Sequence, residues 1–296
     1  HRPVSGAGVV MTLFALAIVL LSAVAHAVWN LFAKRAGGGA AFVWTFDLLA
    51  AVIYAPLALV SFLRWQSPLT GLALFFIVGS AILHLAYFLM LQQGYRVGDL
   101  SLVYPLARGT GPMLSTIAAI IIFGERPGPL ALCGALLIGI GTFVLSGGGG
   151  KIAGSAARRA VVFALLTGAI IASYTLWDKR AVSGLGIPPL LLNWSLGLGR
   201  LILLLPYSMR HHARIRVVWR DYRREALVVA FLSPLSYILV LTALTITPVS
   251  YVAPAREIGI LLGVIFGARL LAEGHARRRL IAGGAMVLGV VALAFG

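Results

Sequence analysis

The chain has 296 residues, of which 60% are apolar and 11% are charged, with 24 Lys and Arg against 8 Asp and Glu. Soluble domains carry about 25% charged residues, so this composition excludes a soluble enzyme. The formal net charge of +16 lies in short clusters between apolar runs, a pattern that indicates anionic lipid as the partner of the basic residues and excludes nucleic acid.

Ten apolar runs have the length that crosses a bilayer as a helix, about 17 to 25 residues. Lipid offers the backbone no hydrogen-bond partner, and the runs lack the alternation of barrel strands. They therefore predict an all-α polytopic membrane protein with ten transmembrane helices. In chain order the expected spans are 9–33, 40–63, 69–92, 100–123, 128–146, 160–177, 187–209, 226–246, 249–268 and 280–296.

A glycine-rich segment separates the fifth and sixth runs and ends in Lys151. A phosphate-binding loop requires Ser or Thr after that lysine, whereas Ile152 follows it here. We interpret residues 147–159 as a linker between two five-helix repeats, 9–146 and 160–296.

The two halves share residues in the same order at offsets of 145 to 150 positions. The matched residues are Lys34-Arg35 with Lys179-Arg180, Trp44 and Pro56 with Trp194 and Pro206, Tyr87 with Tyr237, and Ala107-Arg108 and Glu125 with Ala255-Arg256 and Glu273. Because each repeat has an odd number of spans, the second enters the membrane from the opposite side. Inverted repeats of this kind are typical of secondary transporters that work by alternating access.

The loops on one side of the membrane carry 16 of the Lys and Arg residues and those on the other side carry 5. Since the richer side faces the cytoplasm, we expect the loop 210–225 to be cytoplasmic. Both termini then lie on the outer side.

Several sequence motifs resemble the EamA family of the drug/metabolite transporter superfamily, and the resemblance covers essentially the whole chain. The motifs are AHAVWNLFAKR at 25–35, PVSYVAPARE at 248–257, and Gly124-Glu125 and Ala272-Glu273 before the last span of each half. Within the superfamily the chain is most similar to YddG-type aromatic amino-acid exporters. The resemblance implies a bacterial inner-membrane exporter of small metabolites with a cavity between the halves. The first span has no carboxylate, unlike the small multidrug relatives, which disfavours a lipophilic-cation antiporter.

Polar side chains inside the spans are candidates for a substrate site, because ionisable groups are costly in lipid. Helical spacing groups His26 with Trp29 and Asn30, and His84 with Tyr87. The alternative is that each histidine only bonds a neighbouring helix. The expected substrate-binding residues are His26, Trp29, Asn30, His84, Tyr87, Tyr104, Arg108, Tyr174, Tyr237, Tyr251 and Arg256.

Arg108 and Arg256 occupy equivalent repeat positions and leave two interpretations open. Each guanidinium could hold a substrate carboxylate bidentately, or it could bind carbonyls freed by Pro105 and Pro254. Glu257 adjoins Arg256 but points about 100° away around a helix, so we expect no direct pairing between the two.

Other polar residues have expected structural roles. Asp47 and Arg200 should stabilise the packing of spans two and seven. Glu125 and Glu273 should each cap the following helix. Trp177 should belong to the interfacial aromatic belt.

The sequence as a whole predicts a monomeric exporter of amino acids, with aromatic and apolar ones favoured. Nucleobases or lipophilic compounds are alternative substrates, and a channel or an integral membrane enzyme is a more distant alternative. Catalytic pairs and metal-ligand spacings are missing from the sequence, so we expect no enzyme activity, metal or cofactor. If protons are the coupling ion, His26 or His84 would carry them.

Overall fold

The computed structural model describes residues 11–37, 39–67, 69–97, 100–145, 154–262 and 276–296. Within these ranges all regular structure is helical and no strand occurs, as the apolar runs predict. Six of the described helices are long and apolar enough to cross a membrane, and three more are apolar but shorter. This pattern is that of a polytopic membrane protein.

The first five helices coincide with the first five predicted spans to within a few residues. They are α1 (Leu13–Arg35), α2 (Ala40–Arg64), α3 (Gly71–Val97), α4 (Leu100–Phe123) and α5 (Pro129–Leu145). The ends of α1 follow from ordinary helix chemistry. The Thr12 side chain accepts a hydrogen bond from the Ala15 N–H at 3.2 Å, and Lys34 and Arg35 complement the negative end of the helix dipole.

The second half has more breaks than the sequence predicts. Its helices are α6 (Gly154–Lys179), α7 (Pro189–Leu203), α8 (Leu205–Arg210), α9 (His212–Asp221), α10 (Arg223–Ile246), α11 (Val249–Ala255) and α12 (Ala276–Phe295), with a π-helical turn at Arg180–Gly184. Helix α6 begins inside the segment predicted as a linker. Residues 1–10, 146–153 and 263–275 lie outside the described residues.

The seventh predicted span, 187–209, is not one helix. Helix α7 ends at Leu203, and α8 starts at Leu205 with Pro206 in its first turn. Proline has no N–H to donate, so it is tolerated at a helix start and disfavoured in the interior. The predicted loop 210–225 also contains a helix, α9.

The ninth predicted span, 249–268, is interrupted near its start. Helix α11 ends at Ala255, Arg256 and Glu257 form a turn, and helical backbone resumes at 258 and is described as far as 262. Broken helices at membrane depth occur where the freed backbone groups are buried in protein or line a cavity. The break thus marks this position as a candidate site.

Helix contacts in the two halves come in matching pairs. Helix α1 packs on α10 as α6 packs on α3, and α2 packs on α7 and α5 on α12. The match extends to single residues: Gly111 lies against Ile171, and Gly259 lies against Ala23. The two contacts correspond to each other through a shift of 148 positions, which relates 111 to 259 and 23 to 171.

The contact between α5 and α12 is a direct approach of two backbones. A Cβ atom added at Gly134 would lie 2.6 Å from the Gly289 carbonyl oxygen, and one added at Gly289 would lie 2.7 Å from the Gly134 carbonyl oxygen. Small residues permit such close packing in membranes. No side chain larger than hydrogen fits at either position without displacement of the helices.

Glu125 joins the α4–α5 connection to the start of α11. Its carboxylate accepts hydrogen bonds from the backbone N–H groups of Val249 and Ser250, both at 2.8 Å. The expectation that it caps the following helix is therefore wrong, because the free N–H groups nearest to it belong to α11. Lys179 binds the end of α10, just before α11, by donating to the Leu244 carbonyl at 2.6 Å.

Glu125→Ala should destabilise the protein, because it leaves two N–H groups at the start of α11 without their carboxylate partner. Loss of a helix cap typically lowers the unfolding free energy by about 1–2 kcal/mol. Thermal unfolding in detergent, followed by circular dichroism, measures the effect. The neighbouring Arg126 is exposed, so Arg126→Ala is the control. Equal melting of both variants and the parent would show that the cap adds no stability.

Candidate functional site: a polar cavity among the helices

A cavity of about 400 Å³ lies among α1, α2, α3, α6, α7 and α10, beside the break after α11. Its volume falls in the range of small-molecule sites. It brings together nine of the eleven residues that the sequence singled out. These are His26, Trp29, Asn30, His84, Tyr87, Arg108, Tyr174, Tyr237 and Arg256.

Four rings from three helices form an aromatic wall of the cavity, which we define as His84, Tyr87, Tyr174 and Tyr237. The His84 ring centroid lies 4.3 Å from that of Tyr174 and 5.3 Å from that of Tyr237. The Tyr87 and Tyr174 centroids are 5.8 Å apart at an interplanar angle of 76°. Such tilted and edge-on contacts are the favoured aromatic geometries, so the rings support one another.

A second aromatic group lies on α1. The rings of His26 and Trp29 meet edge-on with centroids 5.0 Å apart. The buried indole Nε1–H of Trp29 has no hydrogen-bond partner among the described residues. A buried donor without a partner is unfavourable, and the group is therefore suited to donate to a ligand.

A carboxylate lies between two guanidinium groups beside the cavity. Glu257 is 1% exposed, and its oxygens lie 3.3 Å from Arg108 Nε and 3.4 Å from Arg256 Nε. The expectation that Arg256 and Glu257 do not pair is wrong. The 100° separation holds only in a continuous helix, whereas these two residues form the turn after α11.

Each of these arginines also contacts a side chain of the first helix of a repeat. Arg108 Nη2 lies 3.5 Å from His26 Nε2, and Arg256 Nη2 donates to the Tyr174 hydroxyl at 3.1 Å. The second pair lies 148 positions after the first (108 to 256 and 26 to 174). Because a guanidinium can only donate, His26 Nε2 must be its unprotonated acceptor.

Both guanidinium groups of this cluster lie within 3.4 Å of the Glu257 carboxylate. Both arginines also line the cavity. Guanidinium groups pair well with carboxylates, so this part of the cavity wall is suited to an anionic group of a ligand.

A second ion pair in the cavity wall is complete in itself. Arg200 Nε and Nη2 donate to the two carboxylate oxygens of Asp47 at 3.0 and 2.6 Å. Close by, the Trp194 indole N–H donates to the Ala51 carbonyl at 3.0 Å. The prediction that Asp47 and Arg200 join spans two and seven is confirmed.

Two predicted site residues are not seen at the cavity. Tyr251 is 1% exposed and its hydroxyl donates to the Gly296 carbonyl at 3.3 Å. It faces α12 because the break after Ala255 directs only the following turn toward the cavity. The side chain of Tyr104 and the whole of Glu273 lie outside the described residues.

Sequence reasoning missed Asp178, which lies behind the aromatic wall and is fully buried. Its carboxylate accepts hydrogen bonds from the Ser80 hydroxyl and from the Tyr237 hydroxyl, the latter at 2.5 Å. The span was expected to end at 177, but α6 continues to Lys179. Helical spacing could have identified Asp178, because it follows the predicted site residue Tyr174 by one turn.

Trp177, near the end of α6, packs against α3. Its indole N–H donates to the Phe76 carbonyl at 2.8 Å. A Cβ atom added at Gly79 would lie 2.3 Å from the indole ring. The absence of a side chain at Gly79 lets the tryptophan pack between α3 and α6, and its place in the interfacial belt stays a prediction.

A bundle of apolar helices around a charged and aromatic cavity defines a multi-pass membrane protein with an internal cavity. Residues 158–295 match the EamA-like transporter family. A solved crystal structure shares the fold, with a TM-score of 0.75 over 95% of this chain and 96% of that chain. Its sequence identity is 16%, so the likeness establishes the fold alone. No curated protein sequence matches the chain.

Asp47→Ala should be strongly destabilising, because it leaves the Arg200 guanidinium without its carboxylate. Removal of one partner of a buried ion pair lowers stability by about 3–5 kcal/mol. The double variant Asp47→Ala/Arg200→Leu removes both charges and should recover most of the loss. Thermal unfolding of both single variants and the double variant in detergent forms a double-mutant cycle. If the losses of the single variants simply add, the pair is not coupled.

Proposed function

We propose that the protein is a secondary transporter that exports amino acids, with aromatic and apolar ones favoured, across the inner membrane of a bacterium. The observation that carries this proposal is the composition of the cavity, in which two guanidinium groups lie beside an aromatic wall. A free amino acid with a ring carries both complementary groups, a carboxylate and an apolar face.

The two arginines suit the carboxylate. Arg108 and Arg256 both line the cavity beside Glu257, and an incoming carboxylate would bind at these guanidinium groups. Guanidinium–carboxylate pairs are frequently bidentate and are among the stronger hydrogen-bonded contacts. Arg256 binds the side chains of Tyr174 and Glu257. These contacts support this role over the binding of carbonyls freed by Pro254.

The aromatic wall suits the side chain of the substrate. A ring that stacks on Tyr87 or Trp29 gains about 0.5–1.5 kcal/mol beyond the burial of its area. Nucleobases and lipophilic compounds also have apolar faces, and they remain the alternative substrates. They lack the carboxylate that the arginines favour, which is why we rank them below amino acids.

An inverted repeat with alternating access is the mechanism that these contacts support. A helix pair in the bundle corresponds to the pair formed by the equivalent helices of the other half. The contact of Arg256 with Tyr174 likewise corresponds to that of Arg108 with His26, with both residues shifted by the same number of positions. The break after α11 resembles the discontinuous helices that form transporter sites. We propose that the repeats 9–146 and 160–296 superpose by rotation about an axis in the membrane plane.

Counterflow in proteoliposomes tests the function directly. Labelled amino acids, nucleobases and lipophilic cations are offered separately to vesicles that contain the same unlabelled compound. We expect exchange of aromatic and apolar amino acids. Exchange of nucleobases or cations alone would contradict the proposed substrate class, and voltage-driven currents far faster than any such exchange would identify a channel.

Truncation of the aromatic residues should weaken transport. Trp29→Ala, His84→Ala and Tyr87→Ala should each reduce L-phenylalanine counterflow by about threefold to tenfold, which corresponds to the loss of one ring contact. Trp219 on α9 is half exposed and lies away from the cavity, so Trp219→Ala is the matched control. If all three cavity variants transport at the parental rate with normal expression, these rings only pack.

The count of basic residues predicts the orientation in the membrane. A reporter inserted in the loop 210–225 should be active in the cytoplasm, because this loop belongs to the side with 16 Lys and Arg. A reporter fused after Gly296 should be active only on the outer side. The opposite pattern would invert the proposed topology. We expect the purified transporter to be a monomer, which size-exclusion chromatography with light scattering measures.

A further inference from the structure

A buried carboxylate lies directly behind the aromatic wall of the cavity. Asp178 on α6 is fully buried and accepts hydrogen bonds from the hydroxyls of Ser80 on α3 and Tyr237 on α10. Two neutral donors do not neutralise a negative charge in a low-dielectric interior. The carboxylate therefore requires a cation or a proton as its partner.

The orientation of the His84 ring shows where that proton can lie. His84 Nδ1 is 2.9 Å from the Ser80 carbonyl oxygen. A carbonyl only accepts, so Nδ1 carries a hydrogen and Nε2 is the basic nitrogen of the ring. Nε2 lies 3.8 Å from the Asp178 carboxylate. The two atoms face each other with lone pairs unless one of them is protonated.

The groups around Asp178 leave this position to a proton. Among the described residues, His84 is the basic side chain within 4 Å of the carboxylate. Arg256, at the break after α11, acts electrostatically on both Asp178 and His84, but its ion pair is with Glu257. Arg200 of α7 acts on His84 but is held by Asp47.

The remaining neighbours do not change this conclusion. Tyr174, on the same helix, packs against His84 and accepts from Arg256. The next residue, Lys179, donates to the carbonyls of Leu244 and Thr247. None of these contacts supplies Asp178 with a direct positive charge.

We propose that Asp178 and His84 hold one exchangeable proton between them, and that the ammonium group of the substrate releases it. His84 lines the cavity, so an ammonium N–H can donate to Nε2 only when that nitrogen carries no proton. The nearby positive charge also disfavours a proton on the Asp178 carboxylate, and the released proton passes to solvent. The positive charge of the ammonium then replaces that of the proton beside Asp178.

The same aromatic residue borders both ends of a bound amino acid. Tyr174 contacts His84 on one side and accepts from Arg256 on the other. The ammonium at His84 and the carboxylate at Arg256 are therefore the two poles of one site. The return of the empty carrier with its proton completes an exchange of one proton for one amino acid. This second step rests on the proposed amino-acid function, whereas the proton site itself does not.

Infrared spectroscopy of the full-length protein in liposomes without amino acid tests the proton site alone. Titration between about pH 5 and 8, the range in which a histidine side chain exchanges protons, should produce a pH-dependent signal from a carboxyl group or an imidazolium. Asp178→Asn should remove the contribution of the Asp178–His84 pair from that signal, while the other histidines of the chain are unchanged. A titration that is absent from the parent protein, or identical in Asp178→Asn, would overturn the proton site.

Asp221→Asn is the matched control for this titration. Asp221 is an exposed carboxylate at the end of α9, and its hydrogen bond from Arg220 holds the pKa of Asp221 below its usual value. It remains ionised over the tested range, so its removal should leave the signal unchanged. If Asp178→Asn does not fold, Ser80→Ala tests the same carboxylate. The loss of one donor should move the titration midpoint to higher pH, and an unmoved midpoint would overturn the assignment to Asp178.

Calorimetry with L-phenylalanine in buffers of different ionisation enthalpy tests the exchange. We expect release of about one proton per bound molecule and a fall to none in Asp178→Asn and His84→Gln. Binding without proton release by the parent protein would overturn the exchange. Absence of L-phenylalanine binding, with the infrared titration intact, would overturn the amino-acid function and leave the proton site standing.

Discussion

Charge compensation around Glu257 is the constraint on which the cavity depends. Neither lipid nor protein interior solvates an ion, so Arg108, Arg256 and Glu257 have to lie together. This is possible because α11 ends at Ala255 and the following turn brings Arg256 and Glu257 to the same place. A continuous helix would separate them and leave an unpaired charge on each side. The break in the helix and the ion cluster thus require each other.

The cavity also separates charges that stabilise the fold from charges that are available to a ligand. Asp47 and Arg200 satisfy each other through two hydrogen bonds and fasten α2 to α7. The cluster at Glu257 presents two guanidinium groups to the cavity, and the Asp178 carboxylate has neutral donors and a histidine. A basic group therefore lies at one end of the aromatic wall, where Arg256 binds Tyr174, and an acid lies behind His84. A zwitterion matches this polarity, whereas a cation or an apolar molecule matches only part of it.

The apolar runs predicted the helices because membrane insertion depends on length and composition, both of which are local properties. Helical periodicity also grouped His26 with Trp29 and His84 with Tyr87, and these residues do line the cavity. The failures arose where geometry is not local. Glu257 pairs at a break that no pattern marks, and Asp178 is buried because α3 and α10, which are distant in sequence, supply its hydrogen-bond partners Ser80 and Tyr237. Tyr251 shares the motif of the broken helix, yet a side chain in α11 faces α12 and not the cavity.

The contact between Gly134 and Gly289 has a mechanical consequence. Backbone against backbone leaves no side chain to rearrange, so α5 and α12 can turn against each other only about the point where they touch. In a rocking motion this contact point is the pivot, and the pivot does not move. If the two halves move as rigid units, this pair of glycines stays in register while the ends of the bundle open and close. A larger residue at either position would act as a wedge that fixes one tilt, even though it lies far from any transported molecule.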